Sequence, residues 1–156
     1  MGRLISELRD DCAHESGDFT LSQSFAVGVI AAFSQNATWK ANLTMATNYL
    51  SGRGQGGMKS VMAEIARMED GEDPATAIGA LKRPDFYRNL MGDLSYVTCD
   101  RWHLRAAYGV DKVKLTADVR DAVTAATAIV AAEFGEAPAD CQAVIWCTIR
   151  PSGNGQ

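Results

Sequence analysis

Apolar side chains recur at three- and four-residue spacing along nearly the whole chain, the period of helices that bury one face. Residues 21–33 carry this pattern behind Thr20, a residue type that caps helix N-termini. Trp39, Leu43, Ala46 and Tyr49 with Leu50 form a stripe in residues 37–50. Four glycines in residues 51–57 interrupt the pattern and predict a loop. Val61, Met62, Ile65 and Met68 make the next stripe, in residues 58–68, and its methionines read as core filler. After the acidic turn 70–73, Pro74 starts a short helix and Pro84 starts another over residues 85–91. Gly92 stops it. Asp100 opens a helix that runs to Tyr108 and Gly109, an alanine-rich helix follows over 116–134, and a last one lies between Pro138 and Pro151 over 139–149. Only residues 96–99 read as extended. The expected fold class is all-α: one compact helical domain over residues 1–150 with a disordered tail at 151–156.

Composition narrows the function classes. At 156 residues and 47% hydrophobic, the chain is long enough for a packed core. No apolar run reaches the roughly 18 residues of a membrane span, so no membrane partner is expected. The N-terminus carries Glu7, Asp10 and Asp11 without an apolar signal core, so the expected location is the cytoplasm, or the host cytoplasm for a phage-encoded protein. Cys12, Cys99, Cys141 and Cys147 contain no C-x-x-C pair. They read as reduced thiols, and neither a metal nor another cofactor is expected. The net charge of −4 argues against general nucleic-acid coating. Yet residues 82–114 hold seven basic residues (Lys82, Arg83, Arg88, Arg101, Arg105, Lys112, Lys114) against four acids, so this segment is +3 on an acidic body. Such a local basic face fits a specific phosphate or nucleic-acid contact. A solvated face of mixed charge is the alternative.

Two short stretches carry candidate chemistry. The first is Val97-Thr98-Cys99-Asp100-Arg101-Trp102-His103-Leu104-Arg105. A carboxylate at a helix N-terminus caps the helix and stays ionised. The same placement can aim it into a cleft as a base or a cation stabiliser. The second is Phe33-Ser34-Gln35-Asn36-Ala37-Thr38, a polar turn between two apolar helices. Ser34 or Asn36 can cap the second helix. The amides of Gln35 and Asn36 can also enter a base stack or bond a base edge.

The turn F-S-Q-N-A-T resembles the L-S-x-Q-x-T turn of helix–hairpin–helix DNA glycosylases, in which the glutamine wedges into the duplex. V-T-C-D-R-W-H-L-R is similar to that superfamily's V-D-T-H-x-x-R, matching at Asp100 and Arg105, with His103 three places after the acid instead of two. Lys82 lies 18 residues before Asp100, the spacing of the hairpin lysine in bifunctional members, and Asn89 and Gly92 resemble the helix end and turn between them. The hairpin departs from the pattern: I-G-A-L-K-R-P stands where L-P-G-x-G is usual, and there is no four-cysteine cluster. The short chain is similar to compact phage-type enzymes of this superfamily that hypermodify thymine-like bases.

The resemblance implies a helix–hairpin–helix glycosylase-like fold and DNA with a modified or damaged base as partner. Asp100 is then the catalytic carboxylate, and Lys82 a Schiff-base amine after base loss. Gln35 and Asn36 fill the gap of a flipped base, and Trp39, Trp102 or Tyr87 stacks on that base. Arg83, Arg88, Arg101, His103 and Arg105 complete the nucleic-acid contacts. Base excision is the leading expectation. Hypermodification is the second, with Asp100 deprotonating an amine while the arginines bind a departing diphosphate. A non-catalytic DNA- or protein-binding helical module is the third. Without the resemblance, Asp100 is a cap, Lys82 a surface lysine, and Trp102 and Trp146 core residues.

Overall fold

The computed structural model describes residues 22–35, 37–54, 57–79, 81–110 and 112–149. Among them are eight helices and no strand, so the protein is all-α. The helices are α1 (Gln23–Phe33), α2 (Trp39–Leu50), α3 (Lys59–Glu69), α4 (Pro74–Ala77), α5 (Arg83–Leu90), α6 (Arg101–Tyr108), α7 (Ala117–Phe134) and α8 (Pro138–Ile149). Thr20, Asn36, Cys12 and the tail expected at 151–156 lie outside the described residues. The chain divides into two compact units, the first ending at Gly79 and the second starting at Ala80.

In the first unit α1 packs against α2, α3 and α4. Its residues Val27 to Phe33 are all buried, as expected for a helix that is apolar all round. The helix starts at Gln23 instead of residue 21, because Ser22 is the cap: its Oγ accepts from the Phe25 N–H at 3.1 Å. Gly28 permits a close approach. A Cβ there would sit 2.7 Å from Met68 Sδ and 2.9 Å from Pro74 Cβ. The cap of α2 is Thr38, whose Oγ1 accepts from the Ala41 N–H at 3.2 Å. Ser34 is occupied at the end of α1, where its Oγ donates to the Ala31 carbonyl at 2.7 Å. Val61, Ile65 and Met68 of the expected α3 stripe are buried. The Tyr49 hydroxyl donates to Glu69 Oε1 at 2.7 Å, tying the end of α2 to the end of α3.

In the second unit α8 packs against both α6 and α7. Val97, Cys99, Leu104 and Val123 form a buried cluster, with Val113, Leu115 and Val119 against it. Helix α5 starts at Arg83, earlier than the expected residue 85, with Pro84 in its first turn. Thr116 caps α7 by accepting from the Val119 N–H at 3.3 Å. Gly109 and Gly135 end α6 and α7 with φ of 68° and 69°, a conformation other residues adopt at a steric cost. Residues 96–99 join no strand ladder among the described residues, but Val97, Thr98 and Cys99 are buried. No described helix is long and apolar enough to cross a membrane.

Candidate functional site

Asp100 has the extended backbone of an N-cap residue, φ −100° and ψ 177°. Its Oδ1 accepts from the backbone N–H groups of Trp102 and His103, each at 2.9 Å. Its Oδ2 accepts from Trp146 Nε1 at 2.8 Å. One carboxylate therefore starts α6 and pins α8 to it. An ionised carboxylate offers about four lone-pair sites, so three donors leave one for another partner.

The approach to Asp100 is fixed by Asn89 at the end of α5. Its amide nitrogen donates to the carbonyls of Asp93 at 2.9 Å and Tyr96 at 3.0 Å, and its oxygen accepts from Thr98 Oγ1 at 3.0 Å. This orientation satisfies all three contacts at once. Gly92, φ 97°, lies within the bracketed turn.

Arginine and tryptophan meet along α6, Arg101 and Trp102 in its first turn and Arg105 in its last. The guanidinium carbon of Arg101 lies 5.1 Å from the Trp102 ring centroid, and that of Arg105 lies 5.7 Å from it. Both distances are within cation–π range. Arg101 and Arg105 are exposed and Trp102 is half-buried. His103 points the other way. It is 2% exposed, and its Nε2 lies 2.9 Å from Thr127 Oγ1. The Thr127 hydroxyl donates to the Val123 carbonyl at 2.7 Å, so Nε2 carries the ring proton that Thr127 accepts. Nδ1 is buried and has no hydrogen-bond partner among the described residues. Burial pushes the His103 pKa below 6.5, although the Asp100 charge pulls it up.

Of the other expected residues in this unit, Arg88 is committed to its own neighbours. It pairs with Asp85 at 3.3 Å and stacks 4.5 Å from the Tyr96 ring centroid. Asp85 is buried, which raises its pKa above 3.8 against the lowering pull of Arg120 and Arg88. Arg83 is buried at the start of α5. Lys82 is half-buried just before it, and no hydrogen bond or ion pair among the described residues joins it to Asp100. Gln35 and Trp39 belong to the first unit, Gln35 exposed in the turn after α1 and Trp39 44% exposed at the start of α2.

The sequence reading missed the roles of Trp146 and Thr127. Trp146 is 46 residues from Asp100, and no local spacing connects the two. Thr127 gave a weak signal, a polar residue on the buried stripe of an alanine-rich helix. Among the described residues no group of three or more His, Cys, Asp or Glu side chains could hold a metal ion.

A family of unknown function, DUF7178, matches residues 7–153. The chain belongs to this family. No curated protein and no solved structure matches it. Membership covers both units and leaves the chemistry to be argued from the α6 site itself.

Proposed function

We propose that this DUF7178 member acts on a nucleobase in DNA, with Asp100 as its catalytic carboxylate and base excision as its reaction. The observation that carries the reading is Asp100 itself, its carboxyl group immobilised by three N–H donors one residue from an exposed arginine and two from a half-buried tryptophan. In base excision the C1′–N bond breaks with its electron pair leaving on the base, water adds to the cationic sugar and its proton ends on the departed base, so the carboxylate need only stabilise the cation with its fixed charge. That role needs only the one lone pair left on Asp100. Deprotonating an amine, the hypermodification chemistry, asks a carboxylate already held by three donors to take up a proton as well. The geometry therefore favours excision. Lys82 remains the proposed amine for a covalent step after base loss.

A second reading is a binding module without catalysis, and the Trp146 contact favours it, since Asp100 already has a structural task. One experiment separates the readings. The protein and Asp100→Asn are incubated with duplexes containing 5-hydroxymethyluracil and other modified bases, and free bases and nucleosides are weighed by mass spectrometry. Excision predicts free base that falls by about 100-fold or more in the variant. A heavier nucleoside would replace excision with hypermodification. No product from the wild type across the panel would leave the binding module. Asn keeps the Oδ1 cap but turns an amide N–H₂ toward the Trp146 indole, so Trp146→Phe serves as the control for that local clash.

A further inference from the structure

The outward side of α7 is not what a solvated helix presents. Opposite its buried stripe a surface helix ordinarily carries charged and polar side chains. The buried stripe of α7 is Val123, Thr127 and Ala131. On the exposed side Ala122, Ala126, Val130 and Phe134 follow one another at four-residue spacing, and Ala125 and Ile129 make a second row beside them. Ile129 is 64% and Phe134 75% exposed. Two such rows are ridges with a groove between them, the shape that receives a ridge of a crossing helix. The alanines let a partner backbone approach closely at one end, and Ile129, Val130 and Phe134 present apolar area at the other.

Charge decides what fits. Asp118 and Asp121 stand at the start of the two rows and Glu133 and Glu136 at their end, all exposed. From Leu115 to Ile149 the one basic residue is Arg120. Its guanidinium is engaged by Asp121, at 2.7 and 2.9 Å. A second copy of the chain is therefore a poor occupant. Antiparallel pairing centred on the rows sets Asp118 and Asp121 against Glu136 and Glu133, and parallel pairing sets each acid against itself. Nucleic acid and an anionic lipid surface meet the same repulsion. A helix with an apolar stripe and a lysine or arginine towards each end satisfies both the groove and the acids. Asp118 and Glu133 are fifteen residues apart, about 22 Å along the axis, which sets the spacing of those basic groups at about four turns.

We propose that the exposed face of α7 is a docking surface for a basic amphipathic helix of another protein. The inference goes beyond the nucleobase reading and uses none of the α6 residues on which that reading rests.

Fluorescence anisotropy tests this with a labelled synthetic helix of the length of α7, carrying leucines along one stripe and lysines towards both ends. A twin with glutamates in place of the lysines is the charge control. The wild type is expected to bind the lysine helix and not its twin, with affinity falling as salt rises. Ile129→Ser and Phe134→Ser should each weaken binding roughly tenfold. Val110→Ser, at an exposed apolar residue outside α7, should leave it unchanged. Glu133→Lys should weaken the lysine helix severalfold and admit the glutamate twin. The substituted side chains are all exposed, and a circular dichroism melt checks each fold. Hydrogen exchange on the wild type needs no variant: the lysine helix should slow exchange in α7 and leave α1 to α4 as they were. Equal binding of the two helices, indifference to Ile129→Ser and Phe134→Ser, protection outside α7 or no binding would each overturn the proposal. So would a dimer in sedimentation that Phe134→Ser dissolves, which places a second copy on this face, or binding to anionic vesicles that the same variant loses. Loss of excision in Asp100→Asn leaves this surface untouched, so the two readings fail separately.

Discussion

In α1 seven consecutive residues, Val27 to Phe33, are buried, whereas the 18-residue α7 buries only Val123, Thr127 and Ala131. The first unit gains its order from close apolar packing, tight enough that Gly28 has no room for a methyl group. The second unit has a small apolar cluster and relies on polar side chains that reach across it: Asp100 to Trp146, His103 to Thr127, Asn89 to the turn before α6. Dispersion spreads stabilisation over many weak contacts. A hydrogen-bonded core concentrates it, because removing one partner leaves the other buried and unsatisfied. The candidate chemistry lies in the unit that works the second way, where side chains are held at fixed positions.

The largest effect that sharpens this contrast is expected at Asp100. Asp100→Ala removes the cap of α6, worth about 1 kcal/mol, and leaves the Trp146 indole N–H without its acceptor, about 1–3 kcal/mol more. A loss of about 2–4 kcal/mol in urea unfolding is expected. Ser22→Ala removes an exposed cap in the first unit and should cost about 1 kcal/mol or less. Equal costs at the two caps would break the comparison. In the first unit the sensitive position is a packing one. Gly28→Ala places a Cβ against Met68 and the Pro74 ring, and the overpacking should exceed the helix-propensity gain of about 1 kcal/mol. A net loss of about 1–2 kcal/mol is expected from the same measurement, and a gain would show that the α1 interface is loose.

The same contrast explains what could be read from the sequence. Helices and their ends come from local rules, and these were readable: the period of 3.6, the prolines at the starts of α4 and α5, Gly109 and Gly135 at helix ends, and Asp100 as the start of α6. The caps of α1 and α2 were misplaced because several serines and threonines compete within a few residues, and the choice depends on which hydroxyl is already used, as Ser34 is by Ala31. The site was half readable. The pattern D-R-W-H-L-R named the residues but not their directions, so His103 was grouped with Arg101 and Arg105 although it turns into the core. The partners of Asp100 and His103 lie on α8 and α7, where tertiary packing alone brings them close.

The buried histidine makes the second unit the more acid-sensitive. His103 has a folded pKa below its unfolded value near 6.5, so over the window between them the unfolded chain binds more protons. Stability from the neutral ring is therefore present above about 6.5 and is lost as pH falls through that window, at up to about 1.4 kcal/mol per pH unit. Asp85 acts oppositely. Its raised pKa means the folded state holds the extra proton just above 3.8, which offsets part of the acid loss. His103→Gln keeps a donor for Thr127 and should flatten the pH dependence of the urea midpoint below 6.5. A profile as steep as the wild type's would assign the acid sensitivity elsewhere.

The smallest effect is expected at Tyr49, where the first unit uses a polar tie on its surface. The hydroxyl bonds to Glu69 at an exposed site, so Tyr49→Phe should cost about 1 kcal/mol or less near neutral pH. Its signature lies in alkali. Burial and the Glu69 carboxylate push the phenol up to about 12 from 10, so between these values the folded chain keeps a proton that the unfolded chain releases. Stability from this group is intact below about 10 and declines as pH rises towards 12. Ultraviolet titration should show a tyrosine component ionising near 12, and Tyr49→Phe should remove it. If the late component survives the substitution, the tie between α2 and α3 does not hold in solution, and the first unit depends on its apolar packing alone.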